Sequence, residues 1–167
     1  MNVARNGWLV AAGILSTGAA LLHLAAIVGG ADWYRFFGAG EAIARAAERG
    51  SIMPAVLTFA MASILGIWAL YAFSAAGLFR RLPLIRTALL LISAIYLLRG
   101  LALVPLLILR PNMVGTFAMV SSLVVLVYGV VQAIGTWRGW QSLSTAAALL
   151  PCVRERTRRV AGPCCPP

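Results

Sequence analysis

Long apolar runs separated by short charged segments set the layout of this chain. A helix that crosses a bilayer needs about 20 largely apolar residues. Four runs reach that length. Gly7–Ala31 has no formal charge, and His23 is its one histidine. Ser51–Phe79 and Pro111–Trp137 have no charged residue, and Thr87–Leu109 holds a single one, Arg99. The pattern predicts an all-α fold: a four-helix transmembrane bundle with spans at about 8–28, 52–73, 84–109 and 114–136. Residues 1–140 then form one membrane domain. Residues 141–167 form a tail, with a surface helix over Ser142–Leu150 and an Arg- and Pro-rich end expected to be disordered from Pro151.

Within the spans, small residues mark the faces that approach other helices. Ala12, Ser16 and Ala20, with Ala19, make such a face, and His23 continues it. Ala62 with Gly66, and Gly129 with Ala133, are spaced alike. Trp8, Trp68, Tyr71, Phe73, Trp137 and Trp140 are expected at the membrane–water interface. Pro54 suits the first turn of its helix, whereas Pro105 frees the carbonyl of Leu101 and predicts a kink. Gly29-Gly30 is expected to end the first span. The connector that follows mixes Asp32, Arg35 and Glu41 with Trp33, Tyr34, Phe36 and Phe37. It predicts an aromatic turn and then a short amphipathic helix over Glu41–Glu48, with Glu41 and Arg45 as an i,i+4 pair. It is either an interfacial strap on the membrane or a cap over a pocket.

Composition agrees with a membrane protein: 62% of residues are hydrophobic and 11% charged, against about 25% charged in soluble domains. The net charge of +10 does not signal nucleic acid, because the charges flank spans. If the N-terminus is inside, Arg5, Arg80, Arg81, Arg86, Arg138, Arg154, Arg156, Arg158 and Arg159 lie on the inner side. Arg35, Arg45, Arg49 and Arg110 lie outside. The positive-inside rule then puts both termini in the cytoplasm. Every basic residue is Arg, which hints at a GC-rich bacterial genome and so at a bacterial inner membrane. The first apolar run is longer than a signal-peptide core, so it is expected to stay as a span. Cys152, Cys164 and Cys165 fall in the tail with no metal or redox spacing.

The polar residues inside the spans are the candidates for function. An arginine deep in a span costs about 2.5–3.5 kcal/mol on insertion scales, so Arg99 should face the interior beside a partner. At 1.5 Å per residue, His23, Arg99, Ser121 and Ser122 all fall within about 4–7 Å of mid-membrane on the outer side. The connector lies on that side too. The expected polar network is His23, Asp32, Arg35, Glu41, Tyr96, Arg99, Ser121 and Ser122, with Arg99 paired to Asp32 or Glu41. A stripe of Ser121, Tyr128 and Gln132 runs along the fourth span. The network holds a ligand or reaction, or it only locks the bundle; alternatively Arg99 snorkels to the headgroups.

The chemistry these residues admit is narrow. One histidine excludes bis-histidine haem. No metal site and no resident cofactor is expected. Arg99 with Tyr96 would suit an anionic or carbonyl-bearing headgroup, such as a quinone or a small anion. Met53, Met61, Met113 and Met119 with His23 are soft donors of the kind that take Cu(I). Expected partners are the bilayer, a small lipid-like ligand, and a membrane protein or a second copy of the chain.

The layout, with stretches such as LLHLAAIVGGADWYRFFGAGE and LIRTALLLISAIYLLRG and the Ser-Ser of the fourth span, resembles small bacterial membrane proteins of the DoxX-like group. The resemblance covers about Trp8–Trp140 and implies a four-helix inner-membrane protein. Some of that group are associated with quinol oxidation or thiol-stress complexes. Three functions stay open: a ligand-binding or accessory protein with a periplasmic-side pocket around Arg99, a quinone-linked redox or proton-handling subunit using His23 and Glu41, and a structural subunit of a complex.

Overall fold

A computed structural model describes residues 6–80, 82–109 and 115–160, with the backbone alone for Thr116 and for 141–160. Arg5, Arg81, the turn at Arg110–Asn112, Met113, Cys164 and Cys165 lie outside the described residues, as does the side chain of Cys152. The elements are α1 (Gly7–Phe36), α2 (Glu41–Glu48), α3 (Met53–Ala75), α4 (Ile85–Leu101), α5 (Leu103–Leu109) and α6 (Thr116–Val160). Among the described residues there is no strand. Four helical stretches are long and apolar enough to cross a membrane: Gly7–Phe36, Met53–Ala75, Ile85–Leu109 and Phe117–Trp140. The protein is therefore a small helical membrane protein in contact with lipid.

Local chemistry explains the breaks. α1 does not end at Gly29-Gly30 as expected. It kinks at Gly30 (φ 67°, ψ −150°) and runs on to Phe36. That backbone conformation is open to glycine almost alone, so the Gly pair bends the helix without stopping it. Pro54 sits in the first turn of α3. Pro105 lies in α5, and the helix is interrupted at Ala102, between α4 and α5, where the missing proline N–H leaves Leu101 without its partner. Ser74 holds the turn after α3: its hydroxyl donates to the Arg80 carbonyl (2.9 Å) and accepts from the Leu82 N–H (3.1 Å). The backbone beyond Pro151 stays helical to Val160, where disorder was expected; the Ala- and Leu-rich run before it favours helix.

The helices pack α1 on α3, α4 on α6 and α1 on α6. Glycines set the closest approaches. A Cβ at Gly100 would lie 2.8 Å from Leu126 Cβ and 2.9 Å from its Cα, and one at Gly129 would lie 3.0 Å from Leu97 N. One at Gly135 would lie 3.1 Å from Leu9 N, and Asn6 donates to the Gly135 carbonyl at 2.7 Å. Gly13 is covered by the Phe73 ring. Gly66, by contrast, faces open space, so its small pair with Ala62 makes no close crossing.

Leu9, Ala76, Ile85 and Leu89 cluster where α1 and α4 begin and α3 ends. This is the arginine-rich end; the α1–α3 connector lies at the other. Burial is uneven between them. At and below the level of Tyr96, each helix buries a regular series of side chains, such as Ala12 and Ser16 on α1, and Leu65 and Ala69 on α3. Toward the connector end the spans bury fewer side chains among the described residues: Ala26, Tyr34, Pro54, Ala62, Gly100 and Ser122. α5 buries nothing. The bundle is closed in one half and loosely packed in the other.

Candidate functional site

Three polar groupings lie in sequence from mid-bundle to the connector. The first is central. The Ser16 and Tyr96 hydroxyls are 3.1 Å apart and buried. Trp68 meets the Tyr96 ring edge-on at 4.9 Å, and Tyr128 lies 6.0 Å away on the opposite helix. Trp68 is thus part of the core with Leu65, Ile92 and Tyr96, not an interfacial anchor; α3 is apolar on every face, so its sequence did not reveal which side packs.

The second grouping is Arg99 with Ser122. Arg99 lies one turn beyond Tyr96, where the dense packing stops. Helical geometry puts it about 60° around α4 from Tyr96, on the side away from Gly100. Its Nη1 donates to the Ser122 hydroxyl at 3.3 Å. Ser122 is 3% exposed, whereas Arg99 is exposed. The expected pairing of Arg99 with Asp32 or Glu41 is not formed. No carboxylate among the described residues lies within ion-pair distance of it.

The third grouping explains why. Arg35 draws in the described carboxylates. Its Nη2 lies 2.7 Å from Glu48 Oε1, its Nε 3.1 Å from Glu41 Oε2, and its Nη1 3.5 Å from Asp32 Oδ1. Arg45 adds a 3.0 Å contact to Glu41, the expected i,i+4 pair. Hydrogen bonds from Arg35 and Arg45 pull the Glu41 carboxyl down to about 2. These partners are near in sequence, so bringing them together closes only short loops. They also remain close to water, so desolvation is small. A pairing with Arg99 would have cost more on both counts. Glu48, seven residues after Glu41 and on the same face of α2, was readable from that spacing but was not in the expected set.

The connector is also tied to α6. Phe37 stacks edge-on with Phe36 at 5.1 Å and approaches Phe117 at 6.4 Å. Gly38 (φ 63°) leaves no room for a side chain beside Phe117.

His23 is half-buried, and its Nδ1–H donates to the Ala19 carbonyl of its own helix at 2.8 Å. In the neutral tautomer with this bond, Nε2 is an acceptor. It does not meet Glu41, whose oxygens are taken by Arg35 and Arg45, so the two do not form a proton-handling pair. Ser121 is part-buried and bonds to the Ala118 carbonyl. Gln132, at the level where the bundle is closed, is 1% exposed, and its Nε2 has no partner. Among the described residues no group of three or more His, Cys, Asp or Glu side chains could hold a metal ion. Met53, Met61 and Met119 are exposed on the helix surfaces.

Comparison with protein-family models, curated proteins and solved structures finds no match to this chain.

Proposed function

We propose that the protein is a multi-pass bacterial inner-membrane protein that binds a lipid-like ligand between the connector-end halves of its helices. The carrying observation is the change in packing at Arg99. Below it the helices are closed; beyond it few side chains are buried, and an exposed guanidinium has one hydroxyl partner. A guanidinium has five N–H donors, so Arg99 has donors to offer an amphiphile whose headgroup carries an anionic or carbonyl oxygen. A quinone of the kind suggested by a DoxX-like layout has such oxygens. The ligand's apolar part would lie along exposed side chains such as Val56, Phe59 and Leu107. The concentration of arginine at the far end makes that end cytoplasmic and the Arg99 half periplasmic.

Native mass spectrometry of the detergent-extracted protein tests this reading. A retained small molecule of lipid-like mass, lost in Arg99→Gln, is the expected result. An empty wild-type protein, or a molecule retained equally by Arg99→Gln, overturns it. A stoichiometric protein partner in place of a small molecule would make the chain a structural subunit. A reporter fused to the C-terminus should read cytoplasmic.

A further inference from the structure

The arginine-rich end has a charge problem of its own. Arg80, Arg86 and Arg138 lie there, while Asp32, Glu41 and Glu48 are gathered on Arg35 and Arg45 at the opposite end. Among the described side chains, no carboxylate is left to neutralise these arginines. Arg86 stacks its guanidinium 4.1 Å over the Trp140 ring, and its buried Nε has no hydrogen-bond partner. Stacking on a ring moderates a cation, but it leaves the charge in place. The fourth acidic residue, Glu155, lies in α6 with its side chain outside the described ones, so the described side chains leave this end net positive.

The same end has a cleft of about 330 Å³ lined by Leu70, Phe79, Arg80 and Leu82. Its walls are almost wholly apolar, so Arg80 lines it with its carbon stem and its guanidinium lies outside the hollow. Leu70 and Phe79 are 53% and 59% exposed, so the cleft is open at the surface of the bundle. Its shape is held from behind, because the buried Ser74 hydroxyl ties the backbone of Arg80 and Leu82. Trp137, exposed on α6 at this end, is the residue type that settles at headgroup level. The cleft thus sets a small apolar hollow beside the side chain of one exposed arginine.

We infer that this cleft is a binding site for one anionic phospholipid. An acyl chain lies along Leu70, Phe79 and Leu82, and the phosphodiester accepts hydrogen bonds from Arg80. The uncompensated charge of Arg86 and Arg138 selects an anionic headgroup over a zwitterionic one, whose ammonium they repel. Basic pockets at the ends of spanning helices recognise headgroups in this way. The site is separate from the one around Arg99 and does not depend on it.

The test is lipid retention in native mass spectra, after reconstitution in equal mixtures of phosphatidylglycerol and phosphatidylcholine. Wild type should retain one phosphatidylglycerol in preference to phosphatidylcholine. One arginine near a headgroup changes binding by about fivefold, so Arg80→Gln should lower retention by about that factor. Arg49→Gln removes the same charge at the connector end and should leave retention unchanged. Leu70→Trp fills the cleft at constant charge and should also lower retention. Equal retention of the two lipids by wild type overturns the proposal. Equal losses in Arg80→Gln and Arg49→Gln overturn it too, by reducing the effect to diffuse attraction. Retention unchanged in Leu70→Trp overturns the placement in the cleft.

Discussion

Replacing Gly100 with alanine tests the packing of α4 on α6. The new Cβ would sit 2.8 Å from Leu126 Cβ, 2.9 Å from Leu126 Cα and 3.0 Å from Leu126 N. Backbone atoms cannot swing aside as a side chain can, so the two helices must separate by roughly half an ångström to restore ordinary contact. Separation weakens the reciprocal seat of Gly129 on the Leu97 backbone, one turn away. Overpacking of this kind costs about 1–3 kcal/mol. Alanine recovers about 1 kcal/mol through its better helix propensity. The net expectation is a loss of about 0–2 kcal/mol. Gly66→Ala is the matched control, because its Cβ meets nothing within 4 Å; it should gain up to about 1 kcal/mol. Unfolding in mixed micelles of dodecyl maltoside and dodecyl sulfate, followed by circular dichroism, measures both variants on one scale. If Gly100→Ala is as stable as Gly66→Ala, the helices do not cross at Gly100 and the reasoning fails.

Three further outcomes are expected. Tyr96→Phe removes the bond to Ser16, and such interhelical bonds average about 0.6 kcal/mol in membranes; a loss far above 2 kcal/mol in the same unfolding assay would mean that the hydroxyl does more than hold Ser16. Glu41 has a carboxyl near 2 in the folded connector, against an ordinary value of 4.5. Its contribution is therefore fully present above about pH 4.5 and is lost as the pH falls toward 2. Amide exchange in α2 should quicken over that window in wild type and show no such step in Glu41→Gln; identical pH profiles would count against the ion cluster. Leu84 has φ 52° and is 77% exposed, and a left-handed backbone strains an L-residue by roughly 1–2 kcal/mol. Leu84→Gly should therefore raise thermal stability and the β-branched Leu84→Ile should lower it; equal melting of the two would show that the residue is not held in that conformation.

The spans were legible because lipid leaves few alternatives: a run of about 20 apolar residues has to satisfy its own backbone, and a helix does so. The helix Glu41–Glu48 was legible because Gly40 and Gly50 punctuate it and Glu41 faces Arg45. Gly30 was legible as an irregularity but not as a bend, since that depends on a backbone angle that composition does not reveal. The partner of Arg99 was misread for a reason that charge counting exposes. The connector has Asp32, Glu41 and Glu48 beside Arg35, Arg45 and Arg49, so every carboxylate there has an arginine at shorter range than Arg99. Trp68 was misplaced because an all-apolar helix carries no sign of which face packs. The buried Gln132 was visible as part of a polar stripe, but not as a residue whose amide nitrogen lacks a partner.

The confinement of packing to one half separates two kinds of constraint. Residues such as Leu9, Leu89 and Gly129 are answerable to the fold. Residues such as Val56, Phe59 and Leu107 are answerable to whatever lies beside them. A chain divided in this way is free to change what it holds without renegotiating how it stands. A saturation map of folding tolerance should accordingly show a frontier across the membrane at the depth of Arg99, strict on one side and permissive on the other.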